Sequence, residues 1–182
     1  MNLKNVLLFI IQNFEKKKIK YGIIGGFALS LYGVNKNSND LHFFAEREDA
    51  GKIDQVMHEA GYSCFNANLN VAQYISPLKE FGEIDFIFSR TDIGKNMLNR
   101  VNHFEIFEEK IKINVLKPED LIGLKLHALK NDPDRKTKDL IDIILLLKIN
   151  KNSIDFNIIK DYCNILQLND IYETIIKGID KK

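Results

Sequence analysis

The hydrophobic period of this chain changes at Pro118, and that change limits the folds open to it. Upstream, short apolar runs of strand character alternate with glycine turns and brief helical stretches. Downstream, apolar residues recur at helical spacing almost to the end of the chain. YGIIGG (21–26) reads as a buried strand entering a glycine turn, FALSLYG (27–33) as a short helix closed by Gly33, and VNKNSND (34–40) as a polar loop. LHFFAE (41–46) reads as a strand, and 48–61 as a helix ending at Gly61. YSCFN, VAQYIS, GEIDFIFS, HFEIF and KINVL are further strand candidates, with a short helix near 92–99. Helices are expected over 3–18, 118–131, 136–149, 154–166 and 169–178. The implied class is α/β (α+β): a mixed sheet flanked by helices, with a C-terminal helical extension. Residues 1–117 would form the α/β domain, and 118–182 a helical region packed on it without folding independently.

At 182 residues and 45% hydrophobic, the chain can bury a real core, so disorder is excluded as the default. Lys+Arg 26 against Asp+Glu 25 leaves a formal charge of +1. That balance argues against a dedicated nucleic-acid coat or a polybasic membrane binder, but leaves room for a local basic pocket. Cys64 and Cys163 are isolated, which argues against a zinc ribbon or a disulfide framework. The apolar run Val6–Ile11 is followed by charge and not by a small-residue cleavage site, so it reads as an amphipathic helix. No stretch is long enough to span a bilayer, and the expected location is the cytoplasm.

Alternation places Asp40, His42 and Phe44 on one face of their strand, with Leu41 and Phe43 on the other. In GEIDFIFS, Glu83, Asp85 and Ile87 share a face opposite Ile84, Phe86 and Phe88. An acid beside core strand residues is costly unless paired or metal-bound. The ordinary explanation for either Asp40 or Asp85 alone is a strand-end acid facing water. Gly25-Gly26, between a strand and a helix, would let backbone N–H groups approach a phosphate, although glycines end strands in many contexts.

The order of these features carries more than any one of them. IIGGFALSLYGVNKNSNDLHFF (23–44) resembles the signature of the nucleotidyltransferase superfamily with the polymerase-β-like fold. It is most similar to the branch holding AbiEii-type toxins and small bacterial nucleotidyltransferases. That signature is a Gly-Gly or Gly-Ser turn, a helix, an Arg-x-Thr loop, an Asp-hydrophobic-Asp strand, and a third acid on a later strand. Gly25 and Gly26 match the turn, Asp40 the first acid and Asp85 the third. Lys36 and Ser38 stand where Arg and Thr are usual, and His42 stands where the second Asp is expected.

The resemblance implies a nucleoside triphosphate as substrate, with Mg²⁺ or Mn²⁺ held by Asp40, His42 and Asp85. Mg²⁺ prefers oxygen ligands, and a neutral imidazole adds no negative charge and suits Mn²⁺, Zn²⁺ or Fe²⁺ better. His42 therefore leaves open the loss of one metal, the use of another, or a non-catalytic relative.

In PEDLIGLKLHALK (118–130), Leu121, Ile122, Leu124, Leu126, Ala128 and Leu129 form a broad apolar arc with Lys125 near its middle. Such a lysine ordinarily snorkels outward, or else delivers its ammonium to a buried anionic site. AbiEii-like proteins are similar here, with a Lys in this helix and an Asp in the next. Lys125 would contact phosphate or substrate, and Asp139 would assist the acceptor. Asp142 reads as a solvated edge or a partner of the helix N-terminus. Arg135, in the basic turn NDPDRKTKD, is a candidate for bidentate phosphate contact. The expected function is transfer of NMP from an NTP to a hydroxyl, with tRNA or another RNA as acceptor and an antitoxin as partner. The rival is a nucleotide- or partner-binding relative without chemistry.

Overall fold

The computed structural model describes residues 3–36, 40–78, 82–108 and 111–180. The chain runs through α1 (Leu3–Lys16), β1 (Tyr21–Ile24), α2 (Gly25–Leu31), β2 (Leu41–Glu46), α3 (Ala50–Glu59), β3 (Ser63–Ala67), β4 (Val71–Ile75) and β5 (Glu83–Ser89). It continues with α4 (Asp92–Asn99), β6 (Asn102–Ile106), β7 (Ile111–Val115), α5 (Pro118–Asn131), α6 (Lys136–Asn150), α7 (Phe156–Leu166) and α8 (Asn169–Asp180). The expected strands and helices are all present, their ends shifted by a residue or two. The chain divides into two compact units: Met1–Ala28 with Asn37–Leu116, and Leu29–Lys36 with Lys117–Lys182.

The first unit is a seven-stranded mixed sheet of order β3-β4-β5-β2-β1-β7-β6. β2 pairs in parallel with β5, and β1 with β7, while the other neighbours are antiparallel. One face of the sheet carries Tyr21, Phe43, Tyr74 and Phe86. Helix α1 reaches that face because Leu7, Ile10, Ile11 and Phe14, spaced at i, i+3, i+4 and i+7, are all buried. The Phe14 ring meets Tyr21, Phe43 and Phe86 at centroid distances of 5.5, 6.0 and 6.1 Å. Phe43 and Phe86 stack across the β2–β5 pair at 5.2 Å. These rings fix the parallel register, because a slip of one residue would turn every one of them to the opposite face.

The second unit gathers α5 to α8 with the segment Leu29–Lys36. Gly123 of α5 lets α7 approach closely: a Cβ there would lie 2.8 Å from the Tyr162 ring. The Tyr162 hydroxyl then donates to buried Asp120 at 2.7 Å. Glu119 accepts from the Asp155 N–H at 2.9 Å, beside the start of α7.

Phe86 is fully buried and meets four other aromatic rings. Phe86→Ala is expected to lower unfolding free energy in urea by about 3–5 kcal/mol, as deletion of a large core side chain does. A loss below about 1 kcal/mol would show that the stack does not hold the sheet together.

Candidate functional site

Parallel pairing puts His42 directly opposite Asp85, and antiparallel pairing puts Ile24 opposite His42. His42 and Asp85 project from the face that lacks the aromatic stack, as strand alternation requires. The His42 Nδ1 lies 3.5 Å from Asp85 Oδ2, within ion-pair reach if the ring is protonated but long for a hydrogen bond. The side chains are 32% and 22% exposed, so both can meet a ligand. Asp40 is exposed at the bend before β2.

Gly25 follows β1 with φ 73°, a conformation that disfavours any residue with a Cβ. A Cβ at this position would also sit 3.2 Å from the His42 ring. The glycine turn and the histidine are thus packed against one another, and Gly26 continues into α2. The structure also brings up two side chains that the sequence reading passed over. Gln73 of β4 faces Asp85 in register and approaches Asp85 Oδ1 at 3.5 Å; the Asn66 amide of β3 donates to Gln73 at 3.1 Å. Their signal was strand pairing, which periodicity within one strand does not reveal. Ser38, the other expected nucleotide contact beside Lys36, lies outside the described residues.

A metal held by the protein alone would need three or more donors converging. Among the described residues no group of three His, Cys, Asp or Glu side chains does so. His42 and Asp85 make a pair, one of whose members is an imidazole and a poor partner for Mg²⁺. The described donor set does not fit a resident Mg²⁺ site.

The second unit carries a different cluster. Lys125 Nζ donates to Asp139 Oδ1 and Asp142 Oδ2, each at 2.8 Å. Arg135 Nε donates to Asp139 Oδ2 at 3.1 Å, and the Lys36 ammonium contacts Asp142 Oδ1. Asp139 is fully buried, and Asp142 is 2% exposed. The solvated edge expected for Asp142 is therefore corrected: the residue is an internal ion-pair partner on the same side of α6 as Asp139. Lys36 reaches it because the preceding segment is stitched to α6. The Asn150 amide donates to Tyr32 O at 3.1 Å, and a Cβ at Gly33 would meet Ile149 at 3.1 Å.

Burial pushes the Asp142 carboxyl up, but hydrogen bonds and charge from Lys125 and Lys36 outweigh it and hold it below the usual aspartate value.

The mixed sheet, the glycine turn and the strand-borne acid define a protein of nucleotidyltransferase fold. Residues 23–165 match the family described as nucleotidyl transferase AbiEii toxin, Type IV TA system, and the chain belongs to that family. Among solved structures, ANT(2'')-Ia in complex with adenylyl-2''-tobramycin is similar at 12% identity. The match covers 92% of this chain and 99% of that one, with a TM-score of 0.63. The lincosamide antibiotic adenylyltransferase LnuA, with lincomycin bound, is 17% identical over 80% of this chain and 96% of that one, at TM-score 0.56. An antigenic nucleotidyltransferase-like protein from Paracoccidioides brasiliensis is 14% identical over 97% of this chain and 92% of that one, at 0.57. These likenesses speak to fold and not to substrate. No match was found among curated protein sequences. Among the described residues, no helix is long and apolar enough to cross a membrane.

Two measurements check this geometry. Gly25→Ala is expected to cost about 1–2 kcal/mol through its left-handed backbone and to shift the His42 ring resonances; unchanged resonances would contradict the packing. For Asp142 the sign follows from its lowered folded pKa. Its contribution is present above the unfolded aspartate value and lost as pH falls through the folded one. Asp142→Asn is therefore expected to be less stable than the parent at neutral pH, with the difference closing on acidification. A difference that grew on acidification would contradict the ion pairs.

Proposed function

We propose that this protein transfers a nucleoside monophosphate from an NTP to a hydroxyl acceptor. In that reaction the hydroxyl oxygen attacks the α-phosphorus, its proton departs, and pyrophosphate leaves. The observation that carries the reading is the convergence of the Gly25 turn, His42 and Asp85 at one place in the first unit, in a chain of this family. The phosphate cradle is assigned to Gly25 and Gly26, and the acidic groups of the site to Asp40 and Asp85. Because the described donors do not fit a resident Mg²⁺ site, the divalent cation, Mg²⁺ or Mn²⁺, enters as part of the metal–nucleotide substrate. In the second unit, Lys125, Lys36 and Arg135 are the groups assigned to phosphate charge. Asp139, its oxygens taken by Lys125 and Arg135, acts through Lys125. The family description as a type IV toxin–antitoxin component supports an antitoxin as partner, and an RNA, tRNA included, is the acceptor that the resemblance of the sequence implies.

A second reading has its own observation. An imidazole stands where the second acid is expected and lies against the remaining strand acid, which favours a nucleotide- or partner-binding relative without transfer.

Calorimetric titration with NTPs, alone and with Mg²⁺ or Mn²⁺, is expected to give metal-dependent binding. Labelled NTP with total RNA then tests transfer, which Asp40→Ala should abolish. Undiminished transfer by that variant would sink the proposal. If the parent binds but does not transfer and His42→Asp does, the second reading holds.

A further inference from the structure

The ion cluster of the second unit is unbalanced. Among the described residues, Lys36, Lys125 and Arg135 converge on two carboxylates, Asp139 and Asp142. Both carboxylates are withdrawn from solvent, whereas the cations keep part of their surface: Lys125 17%, Lys36 29% and Arg135 51%. A half-buried network with a surplus cation is poor design for stability alone, because burying ions costs desolvation that apolar side chains would avoid. The exposed parts of Lys36, Lys125 and Arg135 leave cationic surface that an anion can reach from solvent.

Asp142 has a particular place in it. One of its oxygens holds the Lys125 ammonium and the other holds that of Lys36. Two ammonium groups on one carboxylate would repel each other and splay apart without it. We infer that Asp142 is a positioning residue: it fixes Lys36 and Lys125 side by side as one two-pronged group for a polyphosphate anion. Asp142 does not touch the anion, and its negative charge opposes binding. Its contribution is to remove the entropy and mutual repulsion of two flexible lysines before the ligand arrives.

That opposition gives a test by sign. The probe is inorganic tripolyphosphate, titrated into the full chain by calorimetry; it carries no nucleoside, so the result is independent of the transfer reaction proposed above. Simple charge counting says that Asp142→Asn should bind the anion more tightly. Positioning says the reverse: an affinity lower by roughly tenfold, the scale of one charge-assisted contact. Lys36→Met is expected to weaken binding by a similar factor, and the double variant to be no worse than the weaker single one, since both disrupt one unit. Tighter binding by Asp142→Asn, two effects that multiply independently, or no binding by the parent would each overturn the inference. Should Asp142→Asn fail to fold, Lys36→Arg and Lys36→Met decide. The arginine variant keeps a cation on Asp142 and should retain most of the affinity, whereas parental affinity in Lys36→Met would overturn the inference.

Discussion

Two carboxylates withdrawn almost completely from water, Asp139 and Asp142, govern how the helical unit is put together. A buried carboxylate without partners is not tolerated, and removing one partner of such a pair typically costs about 3–5 kcal/mol. The unit answers by bringing cations from three separate stretches of chain: Lys125 from the adjacent helix, Arg135 from the turn before α6, and Lys36 from beyond α2. Only Arg135 is a local neighbour of the acid it serves. The other two are contacts across long sequence separations, so the acids also specify which helix face meets which. The hydrogen bond from Asn150 to Tyr32 and the close fit of Gly33 to Ile149 hold the chain segment that delivers Lys36.

The sheet unit depends on a different constraint, strand register. His42 and Asp85 are far apart in sequence and become neighbours because β2 and β5 pair in parallel with those two residues opposite. The register is not set by the polar residues themselves, whose 3.5 Å separation is too long to anchor it. It is set on the other face, where Phe43 and Phe86 stack and Phe14 covers them. The face of the candidate site is thereby held by a hydrophobic one, with strand alternation translating between them.

Much of this was legible in the sequence. Alternation in LHFFAE and GEIDFIFS put His42 on the same face as Phe44 and Asp85 on the same face as Ile87, and helical spacing marked α5 to α8 closely. The order of glycine turn, acids and lysine pointed to the family that the comparison of residues 23–165 shows. What could not be read was anything that needs two elements to be placed together. Gln73 was visible as a polar residue in a strand, but its alignment with Asp85 is a matter of pairing. Asp142 was misread for the same reason. On α6 alone it looks like an acid on a helix edge, and only the approach of Lys125 and Lys36 makes burial affordable.

The two units also differ in how they treat charge, and this bears on His42. In the helical unit Asp139 and Asp142 each have two cationic partners and are locked in place. In the sheet unit, among the described residues, Asp85 has an imidazole and an amide near it, both at 3.5 Å, and keeps 22% of its side chain exposed. A second aspartate at position 42 would face Asp85 across the parallel pair, and two carboxylates so placed repel unless a cation lies between them. Histidine removes that repulsion, so the sheet face can fold with no ion present.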